Sequence, residues 1–192
     1  KKCEKRGIDY LAAMTRVTEG LIDRGCGVLI YPNATREETD SLHNNDLPLV
    51  KQIGAAVSES RRPSLLGIEK DLNTRSLREV LEPVDCMVAS RFHAMISALS
   101  MAKPVMVLGW GHKYKEVLQQ FDIESWCFDF SELDADQLLA DIDRFLAAST
   151  DIKARISEHL PEVRRRSGAQ FDWLTEFLQP QLDAYGDEDV VD

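Results

Sequence analysis

Short, continuous apolar runs alternate along this chain with stretches of helical period, and that alternation limits the fold more than any other feature. Gly27–Tyr31, Pro63–Ile68, Asp85–Ala89, Pro104–Leu108 and Trp126–Phe130 read as strands. A run that is apolar throughout, rather than at every second position, suits a strand covered on both faces, as in a parallel sheet. Between the runs lie helical patterns. Tyr10–Arg24 places Leu11, Met14, Val17, Leu21 and Ile22 on one face and stops at Gly25. Leu47–Ser58, Thr74–Leu81, Ser90–Ala102 and Lys113–Phe121 follow. Asp134, with Gln137 three residues on, forms a capping box for a helix to Ala148. Asp151–Gln179 reads as one long or broken helix, interrupted near Pro161. This order predicts right-handed βαβ units and an α/β fold with a doubly wound parallel sheet.

A chain of 192 residues suits one such domain over 1–149, with a helical extension, 150–185, packed on it. The acidic tail, 186–192, is expected to be disordered. A start at Lys1, with the first helix close behind, fits a segment of a longer protein.

The net charge of −10 argues against general nucleic-acid binding, which needs a basic surface. The one dense basic run, Arg164–Arg166, reads as a solvated helix face, with partner or membrane-surface contact as the sharper alternative. No apolar stretch approaches the ~20 residues of a membrane span. The four cysteines form no C-x-x-C pair, so zinc or thioredoxin chemistry is not indicated. Cys26, Cys86 and Cys127 lie within or beside apolar runs and read as buried free thiols, which fits a reducing compartment. No metal-ligand spacing, nucleophile elbow or P-loop lysine motif occurs.

Open parallel sheets bind ligands outside the carboxyl ends of their strands. Three loops fall there: Pro32–Asp46, Ala89–His93 and Gly109–Lys115. At the second, Ser90 suits a helix N-cap. Phe92, Met95, Ile96 and Leu99 would then form the stripe against the sheet, with Arg91 and His93 on either side of it. A helix N-terminus carries roughly half a positive charge and disfavours cations. Arg91 and His93 at that position make sense if an external anion binds there, held by backbone N–H groups and a guanidinium fork. The plainer alternative is a solvated Arg91 and a His93 that completes the core edge.

At the third loop, Gly109 and Gly111 permit close backbone approach, and Lys113 and Lys115 could add to a phosphate pocket with Trp110 as an apolar wall. An ordinary β–α turn with surface lysines accounts for the same residues. His43 stands in the first loop, where it could reach a ligand or a neighbouring domain, while Asn45 or Asp46 could simply cap the next helix. His159, on the last helix, reads as structural or exposed.

The stretch from Asp85 to Leu108, with Ser90-Arg91-Phe92-His93 at its centre and Lys103-Pro104 before the next apolar run, resembles the signature of the polysaccharide pyruvyl transferase family. Lys113, Lys115, Leu118 and Phe121 look like its continuation, so the resemblance covers about Asp85–Ile123. It implies a Rossmann-like α/β domain corresponding to the C-terminal half of a GT-B-like enzyme, with the N-terminal half missing. It implies transfer of pyruvate from phosphoenolpyruvate to a saccharide acceptor, lipid-linked acceptors included, as a ketal in polysaccharide or cell-surface glycan biosynthesis. Phosphoenolpyruvate is then the donor substrate and no further cofactor is expected. The reaction is expected of the complete protein, in the cytoplasm or at the inner face of the membrane. The resemblance implicates Arg91, Phe92 and His93 in donor binding, with His93 and Arg91 as the catalytic pair; Ser90, Gly109, Lys113, Lys115 and His43 complete the expected substrate contacts. The loop after the first strand has Pro32-Asn33 where related sequences often carry histidine. A GT-B glycosyltransferase or sugar-nucleotide enzyme half, and a non-enzymatic anion-binding or interaction domain, are the competing readings.

Overall fold

A computed structural model describes residues 9–36, 45–109, 111–129 and 134–186, with side chains to Pro180. The elements alternate as α1 (Tyr10–Asp23), β1 (Val28–Ile30), α2 (Leu47–Ala56), β2 (Leu65–Gly67), α3 (Thr74–Leu81), β3 (Met87–Ala89), α4 (Phe92–Ser100), β4 (Val105–Gly109), α5 (His112–Gln119), β5 (Cys127–Asp129), α6 (Ala135–Ala147) and α7 (Ser149–Gly186). The fold is α/β, with small parallel sheets flanked by helices.

The strands form two sheets. β1 pairs with β2, Val28 opposite Leu65 and Ile30 opposite Gly67. β4 lies between β3 and β5, with Ala89 opposite Val107 and Gly109 opposite Asp129. Every pairing is parallel. Val105–Leu108 are wholly buried, as their unbroken apolar run requires of a central strand. Leu29 and Tyr31 pack against the same core as Met87, Val107 and Leu118, so β1 borders the three-stranded sheet through side chains.

Several boundaries differ from expectation. The strand predicted from Pro63 begins at Leu65, because Glu59–Ser64 winds as a 3-10 turn containing Pro63. A proline supplies no ladder N–H, and its fixed φ suits a turn. The helix predicted from Ser90 begins at Phe92, with Arg91 in extended conformation as its N-cap. Its buried face is Ala94, Met95, Ala98 and Leu99, whereas Ile96 is 37% exposed. Asp134 caps α6 by accepting from the Gln137 N–H at 2.8 Å, but the Gln137 side chain donates to Asp141 rather than back to the cap. α7 runs unbroken through Pro161, which lies on its exposed side, where water can serve the freed carbonyl. Cys26, Cys86 and Cys127 are free but half-buried rather than buried, each standing at or beyond the N-terminal edge of a short strand.

The first half of α7 packs on the core. Ile152 and Ile156 are buried, and Leu160 and Val163 border the core. Farther along, Phe171, Trp173, Leu174, Phe177 and Leu178 are exposed, with Trp173 stacked on Phe177 at 5.5 Å. Arg164–Arg166 are exposed; Arg164 donates to the Ser100 carbonyl and Arg165 pairs with Glu162. His159 is half-buried, its Nε2 3.1 Å from Asp122 Oδ2. Among the described residues no helix is long and apolar enough to cross a membrane. The tail beyond Gly186 lies outside the described residues.

Candidate anion site

The carboxyl ends of β3 and β4 are adjacent, and the two turns that leave them meet around one aromatic ring. Ser90 follows Ala89 and is half-buried, and its carbonyl accepts a long hydrogen bond of 3.4 Å from the Tyr114 hydroxyl. Ser90 therefore precedes the helix cap rather than forming it. Arg91 occupies the cap position without bonding any N–H of the first turn, and that turn has no acidic residue. Arg91 thus does not cap the amides at the start of α4, although the Tyr114 side chain hydrogen-bonds the Phe92 backbone there; the helix start carries a partial positive charge.

Phe92 is the hub. Its ring meets His93 edge to face at 5.9 Å and Tyr114 at 5.5 Å. The Lys113 ammonium sits 4.6 Å from the centre of the Phe92 ring, a cation–π contact that brings its charge from α5 to the start of α4. His93 and Lys113 are otherwise exposed. Gly109 ends β4 and is buried. A Cβ on it would stand 2.9 Å from Tyr114 Cγ, so glycine is what lets the Tyr114 ring lie on the strand.

Arg91 turns elsewhere. Its Nε lies 3.1 Å from both carboxylate oxygens of Asp46, and its Nη2 lies 2.5 Å from Oδ1. The arginine side chain is 31% exposed and the aspartate 18%. Bonding to Asp46 raises the Arg91 pKa above its usual range, outweighing the opposite effect of burial. Asp46 Oδ2 also accepts from the N–H groups of Asn33 at 3.2 Å and Ala34 at 3.0 Å. Asp46 stands at the N-cap of α2 but makes no side-chain cap bond there. Its neighbour Asn45, buried, uses its amide to hold Arg36 and Leu47.

Of the expected residues, Ser90, Arg91, Phe92, His93, Gly109 and Lys113 gather at this rim. Lys115 does not join them: two positions along a helix do not share a face, and its charge acts instead on Cys127 of β5. His43 and Trp110 lie outside the described residues. Asp46 and Tyr114 enter the site although sequence patterns did not single them out as ligand contacts. An acidic residue closing the loop after β1 was the available signal for Asp46; Tyr114 read only as part of an amphipathic helix.

A groove of about 780 Å³ lies elsewhere, between β2 and α3, lined by Leu66, Glu69, Lys70, Leu72, Glu79 and neighbours. It offers two carboxylates against one ammonium and does not suit an anion. The β3–β4 rim sets the Lys113 ammonium, the Arg91 guanidinium with its Asp46 partner, the His93 imidazole and the start of α4 around an apolar ring, a net positive arrangement that suits a small anion. No family model matches the chain, and no solved structure matches it.

Proposed function

We propose that this rim binds phosphoenolpyruvate and that the chain is the donor-binding part of a pyruvyl transferase, which forms a cyclic ketal on a saccharide. In this reading the two parallel sheets belong to one doubly wound, Rossmann-like unit, the C-terminal half of a GT-B-like enzyme. The carrying observation is the convergence of Lys113 and His93 on Phe92 at the start of α4, with Arg91 as the N-cap residue beside them. A carboxylate and a phosphate on one three-carbon unit need several donors within a few ångströms, and an apolar ring suits the methylene carbon.

The chemistry needs a proton on that methylene, positive charge tolerated at C2, and departure of inorganic phosphate. One sugar hydroxyl attacks C2, the C2–O bond to phosphate breaks, and a second hydroxyl closes the ketal as both hydroxyl protons leave. His93 is assigned the proton delivery, to the methylene carbon or to the departing phosphate. Lys113 offsets the carboxylate and phosphate charge, and Arg91 donates hydrogen bonds to it. The reading carries a cytoplasmic location with it, next to the inner membrane face where an acceptor is lipid-linked.

Isothermal titration with phosphoenolpyruvate and, separately, with a uridine nucleotide tests it. Binding of phosphoenolpyruvate alone, weakened by Arg91→Ala, is expected. Preference for the nucleotide would favour a sugar-nucleotide enzyme and overturn the proposal. In the complete protein, His93→Ala should abolish turnover while leaving phosphoenolpyruvate bound; unchanged turnover would remove His93 from the chemistry.

A further inference from the structure

Arg91 stands at the N-cap of the site's helix, yet it is already paired with a carboxylate of its own chain. A guanidinium has two edges that can each grip an anion: the Nε–Nη2 side and the Nη1–Nη2 end. The bonds to Asp46 use Nε and Nη2. Nη1 and the second Nη2 proton stand outside that pair, so one fork remains for a second oxyanion. Asp46 is itself held, by the Asn33 and Ala34 amides on Oδ2 and by its own N–H, which donates to the Ala34 carbonyl at 2.7 Å. The carboxylate is therefore part of the loop framework, and releasing Arg91 would strip a half-buried anion of its counter-charge.

We propose that Asp46 is a positioning residue for Arg91: by clamping one edge of the guanidinium it presents the opposite edge to the carboxylate or phosphate of the donor. This rests on the anion-site reading above and deepens it. A long arginine side chain loses rotamer freedom when it binds, and Asp46 has already imposed that order. The pair is neutral as a unit, so it selects by the direction of its hydrogen bonds more than by charge. Lys113 and the start of α4 then supply the net attraction. The loop after β1 becomes part of the donor site through this one carboxylate, although β1 and β3 share no ladder.

The test is a double-variant cycle on the 192-residue chain, with phosphoenolpyruvate as the probe in isothermal titration and thermal melting run in parallel. Asp46→Asn keeps an oxygen for the two amides but loses the ionic clamp. Asp46→Glu keeps the charge and shifts the fork by one carbon. Both variants should weaken binding by about tenfold or more, and Asp46→Asn should add little once Arg91→Ala is present. If Arg91→Ala weakens binding while both Asp46 variants bind as the parent does, the positioning role fails and the anion site stands. If the Asp46 and Arg91 losses simply add, Asp46 acts on the loop alone and the role fails as well. If the parent does not bind phosphoenolpyruvate, or Arg91→Ala changes nothing, the site reading falls and this inference with it.

Discussion

Asp46 and Arg91, 45 residues apart in the chain, meet through three contacts of 3.1 Å or less at the exits of two different sheets. Asp46 lies at the end of the loop that follows β1, and Arg91 at the turn that follows β3. The ion pair ties those exits where backbone pairing does not. Arg91→Ala should therefore lower stability even with no ligand present, by about 1–2 kcal/mol, because Asp46 keeps its two amides but loses its counter-ion. Urea unfolding followed by circular dichroism measures this. An unchanged midpoint would mean that the pair contributes nothing to folding.

Gly109→Ala should cost more than an ordinary strand substitution. The added methyl would meet the Tyr114 ring at 2.9–3.3 Å. That ring is buried, and it packs against Phe92. Relief requires the ring to move and Phe92 with it, at about 1–3 kcal/mol. The companion variant Gly109→Ala/Tyr114→Leu should recover part of the loss. Failure to recover any would place the strain outside this contact.

Tyr31→Phe should be neutral or stabilising. The Tyr31 hydroxyl is buried and makes no hydrogen bond among the described residues. Burial pushes its pKa up to about 12. Removing an unsatisfied hydroxyl while keeping the ring recovers a desolvation cost of about 1 kcal/mol. A loss of more than about 1 kcal/mol on unfolding would show that the hydroxyl has a partner in solution.

Acid should loosen the attachment of α1 to its neighbours. Bonding from Ser58 holds the Glu19 carboxyl below its usual range, Arg61 does the same to Asp23, and Arg24 to Asp143. A carboxyl whose folded pKa is depressed contributes stability above its unfolded pKa, near 4, and loses it as pH falls through the folded value. Melting temperature should be flat from about pH 8 to 5 and fall below about 4. Asp23→Asn with Asp143→Asn should lower the plateau slightly and flatten that acid limb. An acid limb as steep as the parent's would assign it to other carboxylates.

What could be read from the sequence followed how local its cause was. Apolar runs and helical spacing located the alternating elements. Burial on both faces explains the run Val105–Leu108, whereas Leu66 of β2 and Val88 of β3, expected to be covered, are exposed because those strands are short and lie at sheet edges. Turn geometry was less legible. Ser90 has the chemistry of a cap, but the chain stays extended for one residue more, through Arg91, and the Ser90 carbonyl faces Tyr114. The division into two sheets was invisible, since it depends on β1 and β2, of three residues each, pairing with one another and not with β3. The rim of the candidate site was legible as an unexpected pair of basic residues, Arg91 and His93, at a helix start. The carboxylate that answers Arg91 was not, because a contact across 45 residues leaves no periodic trace.

The outer part of α7 has a hydrodynamic consequence. From Arg164 to Pro180 the helix carries side chains that are exposed or nearly so, with Phe171 and Trp173 each 63% accessible. At 1.5 Å per residue this stretch reaches about 25 Å, comparable with the radius of the body that carries it. A compact chain of this length has a radius of gyration near 16 Å. Small-angle scattering should give a distinctly larger value and a pair-distance distribution with a long, low shoulder, and truncation after Gly168 should remove both. The molecule would then tumble as a rod-and-ball rather than a sphere, with two regimes of rotational diffusion readable from Trp173 on the projecting helix and Trp126 in the body.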